Sequence, residues 1–250
     1  MDGSKLAVSA ALLTAAISFP GFAAQAAEFK VLSSGAVKTA LDELVPAFER
    51  ATEHKVTVTY AGTNAIISRF KADEPLDVVI LAAPALDELI KQGKLASRFD
   101  LVRSGIGLAV RSGAPKPALG SVDDFKRALL ASKTFARSEG PSGVYIAGLI
   151  ERLGIADDMK AKTTIVRTGL VAELVARGEV EIGVQQISEV LAVAGVDVLP
   201  LPSDVQHFTT FALGLSSGAK DADAAKAFVK FLTSAAAAPV IKAKGLEPPS

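Results

Sequence analysis

From residue 30 onward, short apolar runs alternate with one-sided helical stretches, and this alternation restricts the chain to an α/β architecture. Residues 30–33 read as a strand. Residues 37–52 follow with Val37, Ala40, Leu41, Leu44, Val45 and Phe48 at helical spacing on one face. Residues 55–60 alternate at Val56, Val58 and Tyr60, as a strand does, and residues 64–72 return to helix. Asp77-Val78-Val79-Ile80-Leu81 is a continuous apolar run, as expected of a strand covered on both faces. Residues 85–92 form a helix stopped by Gly93. Such an order predicts a doubly wound, mostly parallel sheet that binds ligands at the C-terminal ends of its strands.

After a strand at 107–111 and the Pro-rich loop Ser112-Gly113-Ala114-Pro115-Lys116-Pro117, the pattern starts again. It predicts helices at 122–131, 144–153 and 170–177, and strands at 134–136, 164–166 and 182–185. Strands at 196–199 and 209–215 and an amphipathic helix at 222–233 close the chain. Two series of similar size suggest two lobes. The first part of lobe 1 covers 27–106 and lobe 2 covers 107–200. Residues 201–250 hold the return crossing and the C-terminal part of lobe 1. A single larger domain is the alternative.

The N-terminus reads as a signal peptide. Lys5 precedes an apolar run over 6–19, Pro20 and Gly21 break it, and Ala24-Gln25-Ala26 offers small residues for cleavage, so residues 1–26 are expected to be removed. The run is shorter than the roughly 20 residues a spanning helix needs. An N-terminal anchor or a buried helix is the alternative. The compartment expected is the periplasm, with no stable membrane insertion after cleavage.

Composition excludes several classes. Lys+Arg and Asp+Glu are 27 each, so the net charge is zero and nucleic acid is not an expected partner. With no Cys there is no disulfide framework, thiolate metal site or cysteine nucleophile. The two histidines, His54 and His207, lie far apart, and no His-Glu-x-x-His spacing exists, so neither a metal nor a cofactor is expected. His54, in the charged turn Glu53-His54-Lys55, should be solvated, and His207 is expected to be structural. No Gly-x-Ser-x-Gly elbow and no Gly-x-x-x-x-Gly-Lys loop is present.

Four loops share one design: each follows a strand, is rich in Gly, Ser or Thr, and opens a helix. They are Ser33-Ser34-Gly35, Gly62-Thr63-Asn64, Gly140-Pro141-Ser142-Gly143 and Thr168-Gly169. Small residues let an anion approach the unpaired N–H groups of a helix start. Plain N-capping is the competing reading of each loop. Arg137 and Arg167 stand beside the third and fourth loops as carboxylate partners, with solvation the alternative for each and favoured for Arg167. Tyr145 is either packing or a phenolic donor. Of Gln185-Gln186, at most one faces a given cleft.

The stretches 30–41, 60–70, Glu74-Pro75-Leu76-Asp77-Val78-Val79-Ile80, Pro141-Ser142-Gly143-Val144-Tyr145, 174–188 and 225–245 resemble the molybdate-binding-like branch of bacterial periplasmic solute-binding proteins. The resemblance implies a two-lobed type II periplasmic binding fold. Each lobe has a mostly parallel sheet flanked by helices, with two crossover segments between lobes. It implies a monomer that holds a small anion between its lobes and delivers it to an ABC permease. The family's first serine falls on Ala36, its second on Thr63, its third loop on Ser142, the next helix start near Thr168 and its tyrosine on Gln186. Two of three side-chain donors therefore differ, which favours an organic di- or tricarboxylate over molybdate. The expected ligand residues are Ser33, Ser34, Gly35, Thr63, Asn64, Arg137, Ser142, Gly143, Tyr145, Thr168 and Gln186. A related branch includes an aconitate isomerase. For such proton transfer His207, Glu139, Glu189 and Tyr145 are all weak candidates for the base, so binding ranks above catalysis. A molybdate or tungstate binder is the third reading.

Overall fold

Ser34 and Ala61 end two parallel strands side by side, and the chain is organised around such pairs. A computed structural model describes residues 27–72 and 74–249, and the expected signal peptide lies outside the described residues. Strand β1 spans Glu28–Ser34, and a 3-10 turn, Gly35–Val37, leads into helix α1, Lys38–Thr52. Then come β2 Lys55–Ala61, α2 Thr63–Lys71, β3 Val78–Ala82, α3 Ala83–Lys91 and the long β4 Leu95–Arg111. The second series is α4 Val122–Ala131, β5 Phe135–Ser138, α5 Pro141–Arg152, α6 Ala156–Lys160, β6 Thr163–Val166, α7 Val171–Ala176 and β7 Ile182–Gln186. It continues through α8 Ile187–Val190, β8 Val196–Pro200, β9 Phe208–Ser216, α9 Ala222–Leu232 and α10 Ala238–Ala243.

In lobe 1, β1 pairs in parallel with β2 and β3, and β9 joins β3 antiparallel and then β4, giving the order β2-β1-β3-β9-β4. In lobe 2 the order is β8-β4-β7-β5-β6, with β5 parallel to both β6 and β7. β4 belongs to both sheets. Its residues through Gly105 pair with β9, and from Ile106 on they pair with β7 and β8. β4 and the return toward β9 are the two crossovers. Phe228 of α9 packs edge-on against Phe29 and Phe48, with centroids 5.6 and 5.0 Å apart, so the C-terminal helix lies on the lobe 1 core. Phe125, Phe135, Ile146 and Leu149 build a core of lobe 2 that also takes Leu201 and Val205.

β4 starts well before the strand expected at 107–111. Its first half is an edge of the lobe 1 sheet with Ser97, Arg98 and Asp100 among its residues, and register shifts at Leu95/Ser97 and Asp100/Val102 break the period of two. The short helices α6, α8 and α10 carry too few turns for periodicity to show them. His54 is a correction: it is buried, not solvated. Its Nδ1 accepts the Ala27 N–H at 3.0 Å and its ring stacks on Phe48. The pairing of β1 with β2 brings Ala27 onto the turn, which the local charge of Glu53 and Lys55 does not reveal. Among the described residues no helix is long and apolar enough to cross a membrane.

Candidate ligand cleft between the lobes

The register sets the site. Ser34 lies opposite Ala61 at the ends of β1 and β2, and Ser138 lies opposite Val166 at the ends of β5 and β6. Loops therefore leave each sheet in pairs at one level. The two pairs face each other across a cavity of about 490 Å³, in the range of sites that enclose small organic molecules. Ser34, Gly35, Thr63 and Asn64 line it from lobe 1. Ser138, Glu139, Ser142, Arg167 and Thr168 line it from lobe 2, with Gln185, Gln186 and Glu189 at its floor and Tyr60 and Phe211 as walls. Beside the cavity the lobes approach closely at Gly35 and at Gly62. A methyl group on Gly35 would lie 3.5 Å from Glu189 Oε1, and one on Gly62 would lie 3.8 Å from the Arg167 carbonyl oxygen.

Capping and ligand readings separate loop by loop. Ser34 does cap, its Oγ accepting the Ala36 N–H at 3.3 Å. The N-caps of α2 and α5 are Gly62 and Gly140, with no side-chain cap bond, so the first-turn N–H groups face the cavity without a side-chain acceptor. Ser142 is 1% exposed, lines the cavity, and makes no hydrogen bond through its hydroxyl among the described residues. Thr63 and Thr168 also line the cavity with no side-chain hydrogen bond among those residues. At α7 the Val171 N–H is taken by Gln185 Oε1 at 2.8 Å, so this start is closed by the protein itself.

Four expected residues do not line this cavity. Ser33 is fully buried off the cavity, its hydroxyl donating to the Ser34 carbonyl. Arg137 does not line the cavity; alternation along β5 turns Ser138 toward it and Arg137 away, so Nη1 donates to the Ser138 and Gly143 carbonyls, each at 3.3 Å. Gly143 also stands behind the wall. A Cβ there would lie 1.7 Å from Ser138 O, so only glycine lets α5 begin this close to β5. Tyr145 donates to the Val205 carbonyl and stacks on His207 at 4.5 Å, beside a shallower recess next to Thr63 and Asn64.

The expectation that at most one of Gln185-Gln186 faces the cleft is corrected: both line the cavity where β7 ends, with their amide groups engaged by different partners. Oriented to satisfy its neighbours, the Gln186 amide donates to the Ser104 and Gly105 carbonyls at 3.0 and 3.3 Å and accepts from Thr209 Oγ1 at 2.8 Å. It reaches the cavity wall, but its polar atoms tie β7 to the crossing strands β4 and β9. Gln185 turns the other way and supports Glu189.

Glu189 is the site residue that local patterning understates. It sits on the short α8, directly after β7, and α8 is seated on the crossover: Cβ atoms on Gly105 and Gly107 would come within 3.4 and 3.0 Å of Ile187. Burial pushes the Glu189 carboxyl up from 4.5 to about 7, against the pull of hydrogen bonds from the Gln186 backbone and the Gln185 side chain. The only available signal was positional, a carboxylate just past the C-terminal end of a strand. Tyr60 donates to Asp42 Oδ1 at 3.0 Å; burial first, then this bond, holds its phenol above the usual range and protonated. Arg167 pairs with Glu139 at 3.0 Å. Among the described residues no group of three His, Cys, Asp or Glu side chains is placed to hold a metal ion.

The model of bacterial extracellular solute-binding proteins matches residues 29–247. The chain is 38% identical over 253 residues to an aconitate isomerase of Pseudomonas sp., covering 97% of this chain and 95% of that one. It is 29% identical over 239 residues to the molybdate-binding protein ModA of Azotobacter vinelandii, covering 89% and 91%. The solved periplasmic molybdate-binding protein of Azotobacter vinelandii shares the fold, with a TM-score of 0.74 at 19% identity over 89% of this chain and 100% of that chain. The chain belongs to the bacterial extracellular solute-binding protein family, in its molybdate-binding-like branch.

Proposed function

We propose that this protein is an aconitate isomerase-like enzyme of the periplasm, which closes its lobes, residues 27–106 with 201–250 and residues 107–200, on a small tricarboxylate. The observation that carries this reading is Glu189, a carboxyl with its proton affinity raised to about 7, beside Gly35 in a cleft lined by helix starts, hydroxyls and amides. A group titrating near the working pH is suited to take and return a proton.

The step is a 1,3-proton shift. Glu189 takes a proton from the methylene carbon of aconitate, and the C–H electrons spread over the adjacent double bond and carboxylates. Glu189 then returns the proton to the former vinylic carbon, and the double bond moves, with no net oxidation. First-turn N–H groups of α2 and α5, with the free hydroxyls of Thr63 and Ser142, hold carboxylates and stabilise the charge that develops. Gln185 orients Glu189.

The second reading is a binding protein that hands an organic di- or tricarboxylate to an ABC permease, and the family match over 29–247 favours it. A proton NMR time course with cis-aconitate separates the two. Appearance of the trans isomer, lost in Glu189→Gln, supports the enzyme. Binding without conversion supports delivery. Thermal stabilisation by molybdate and not by aconitate or citrate overturns both.

A further inference from the structure

We infer that Arg167 reads a ligand carboxylate beyond those held at the helix starts, and that Glu139 occupies Arg167 until the ligand arrives. This rests on the polycarboxylate reading of the cleft. The motivating observation is a charge out of place: beside Glu189, Glu139 puts a second acidic side chain in the wall of a cavity whose helix starts and hydroxyls suit anions. Its neighbour explains it. Arg167 is the one cation among the described residues that line the cavity, and its Nε lies 3.0 Å from Glu139 Oε1. The two residues follow β5 and β6, whose register sets their loops side by side, and the Glu139 N–H donates to the Val166 carbonyl.

The pair is built to exchange. The Arg167 side chain is 78% exposed and that of Glu139 38%, so water screens the attraction. Arg167 makes no aligned hydrogen bond among the described residues, and its planar fork is left free for a bidentate carboxylate. Its backbone carbonyl faces Gly62, so the side chain is rooted where the lobes meet, beside the first turn of α2. Arg137, in contrast, is committed to two backbone carbonyls. Two effects of Glu139 then share one sign: it competes for Arg167 and it repels the ligand.

Calorimetric titration of the full mature chain with propane-1,2,3-tricarboxylate and with glutarate, which lacks the central carboxylate, tests this. Arg167→Ala should weaken the tricarboxylate about tenfold or more and glutarate by less than about twofold. Glu139→Gln should tighten the tricarboxylate about threefold. Both variants should unfold close to the wild-type temperature, because the pair is exposed. Equal losses for both ligands in Arg167→Ala, or weaker tricarboxylate binding in Glu139→Gln, overturn the inference while leaving the cleft's polycarboxylate role standing. A wild-type protein that binds neither probe overturns both.

Discussion

Glu189 Oε1 stands 3.5 Å from the point where a side chain at Gly35 would begin, so a carboxyl of lobe 2 meets a backbone turn of lobe 1 across the cleft. A methyl group at 35 would stand in ordinary van der Waals contact with that carboxyl.

The raised Glu189 carboxyl has a defined sign in stability. Between pH 4.5 and about 7 the folded protein keeps a proton that the unfolded chain has released. Its contribution to unfolding free energy therefore falls as pH rises through that window and is level on either side. Urea unfolding at about pH 5 and pH 8 should show a larger loss in wild type than in Glu189→Gln. On the isomerase reading, turnover should rise with pH through the region near 7, as Glu189 ionises. Equal pH slopes in the two proteins contradict the raised carboxyl.

Ser142 separates ligand binding from capping. Its hydroxyl has no partner among the described residues, so Ser142→Ala should leave the unliganded melting temperature nearly unchanged. Affinity for a tricarboxylate should fall about tenfold, the scale of one hydrogen bond to a charged group. A drop in stability with unaltered affinity points to a structural serine.

Gly143→Ala and Gly148→Ala make a matched pair on α5. At 143 the new methyl would sit 1.7 Å from a backbone oxygen, which cannot move without lifting the helix from β5. A loss of about 3 kcal/mol or more is expected in urea unfolding. At 148 the nearest atom is Arg152 Nη1 at 3.4 Å, the tip of a flexible side chain. There alanine should be neutral or stabilise by up to about 1 kcal/mol.

Gln186→Ala should cost about 1–3 kcal/mol, because the Ser104 carbonyl and the buried Thr209 hydroxyl lose their bonds to the amide and the Gly105 carbonyl keeps only the Ser104 hydroxyl as a side-chain donor. A residue acting chiefly as a ligand donor would leave denaturant stability intact.

The alternation of strand and helix was legible because each element repeats over enough residues to show its period. α4 falls at Val122–Ala131, where the pattern puts it, with Phe125, Ala128 and Leu129 inside. The four Gly-, Ser- or Thr-rich turns before helices were legible as well, since these residue types mark a helix start locally, whereas the capping by Ser34 and the closing of α7 by Gln185 were not. Which of two neighbours faces the cleft or meets Glu189 was not legible either. Ser138 rather than Arg137, and Gln185 rather than Gln186 beside Glu189, depend on how β5 and β7 are rotated within the sheet.

Sequence by itself determined the α/β class, the order of elements and the glycine- and hydroxyl-rich turns, because these follow from local period and backbone freedom. Only the tertiary structure decided that His54 is buried, that β4 is shared by two sheets, and that Glu189 is desolvated opposite Gly35. Burial and proton affinity depend on what the rest of the chain brings within a few ångströms, and that neighbourhood is made by strands far apart in sequence.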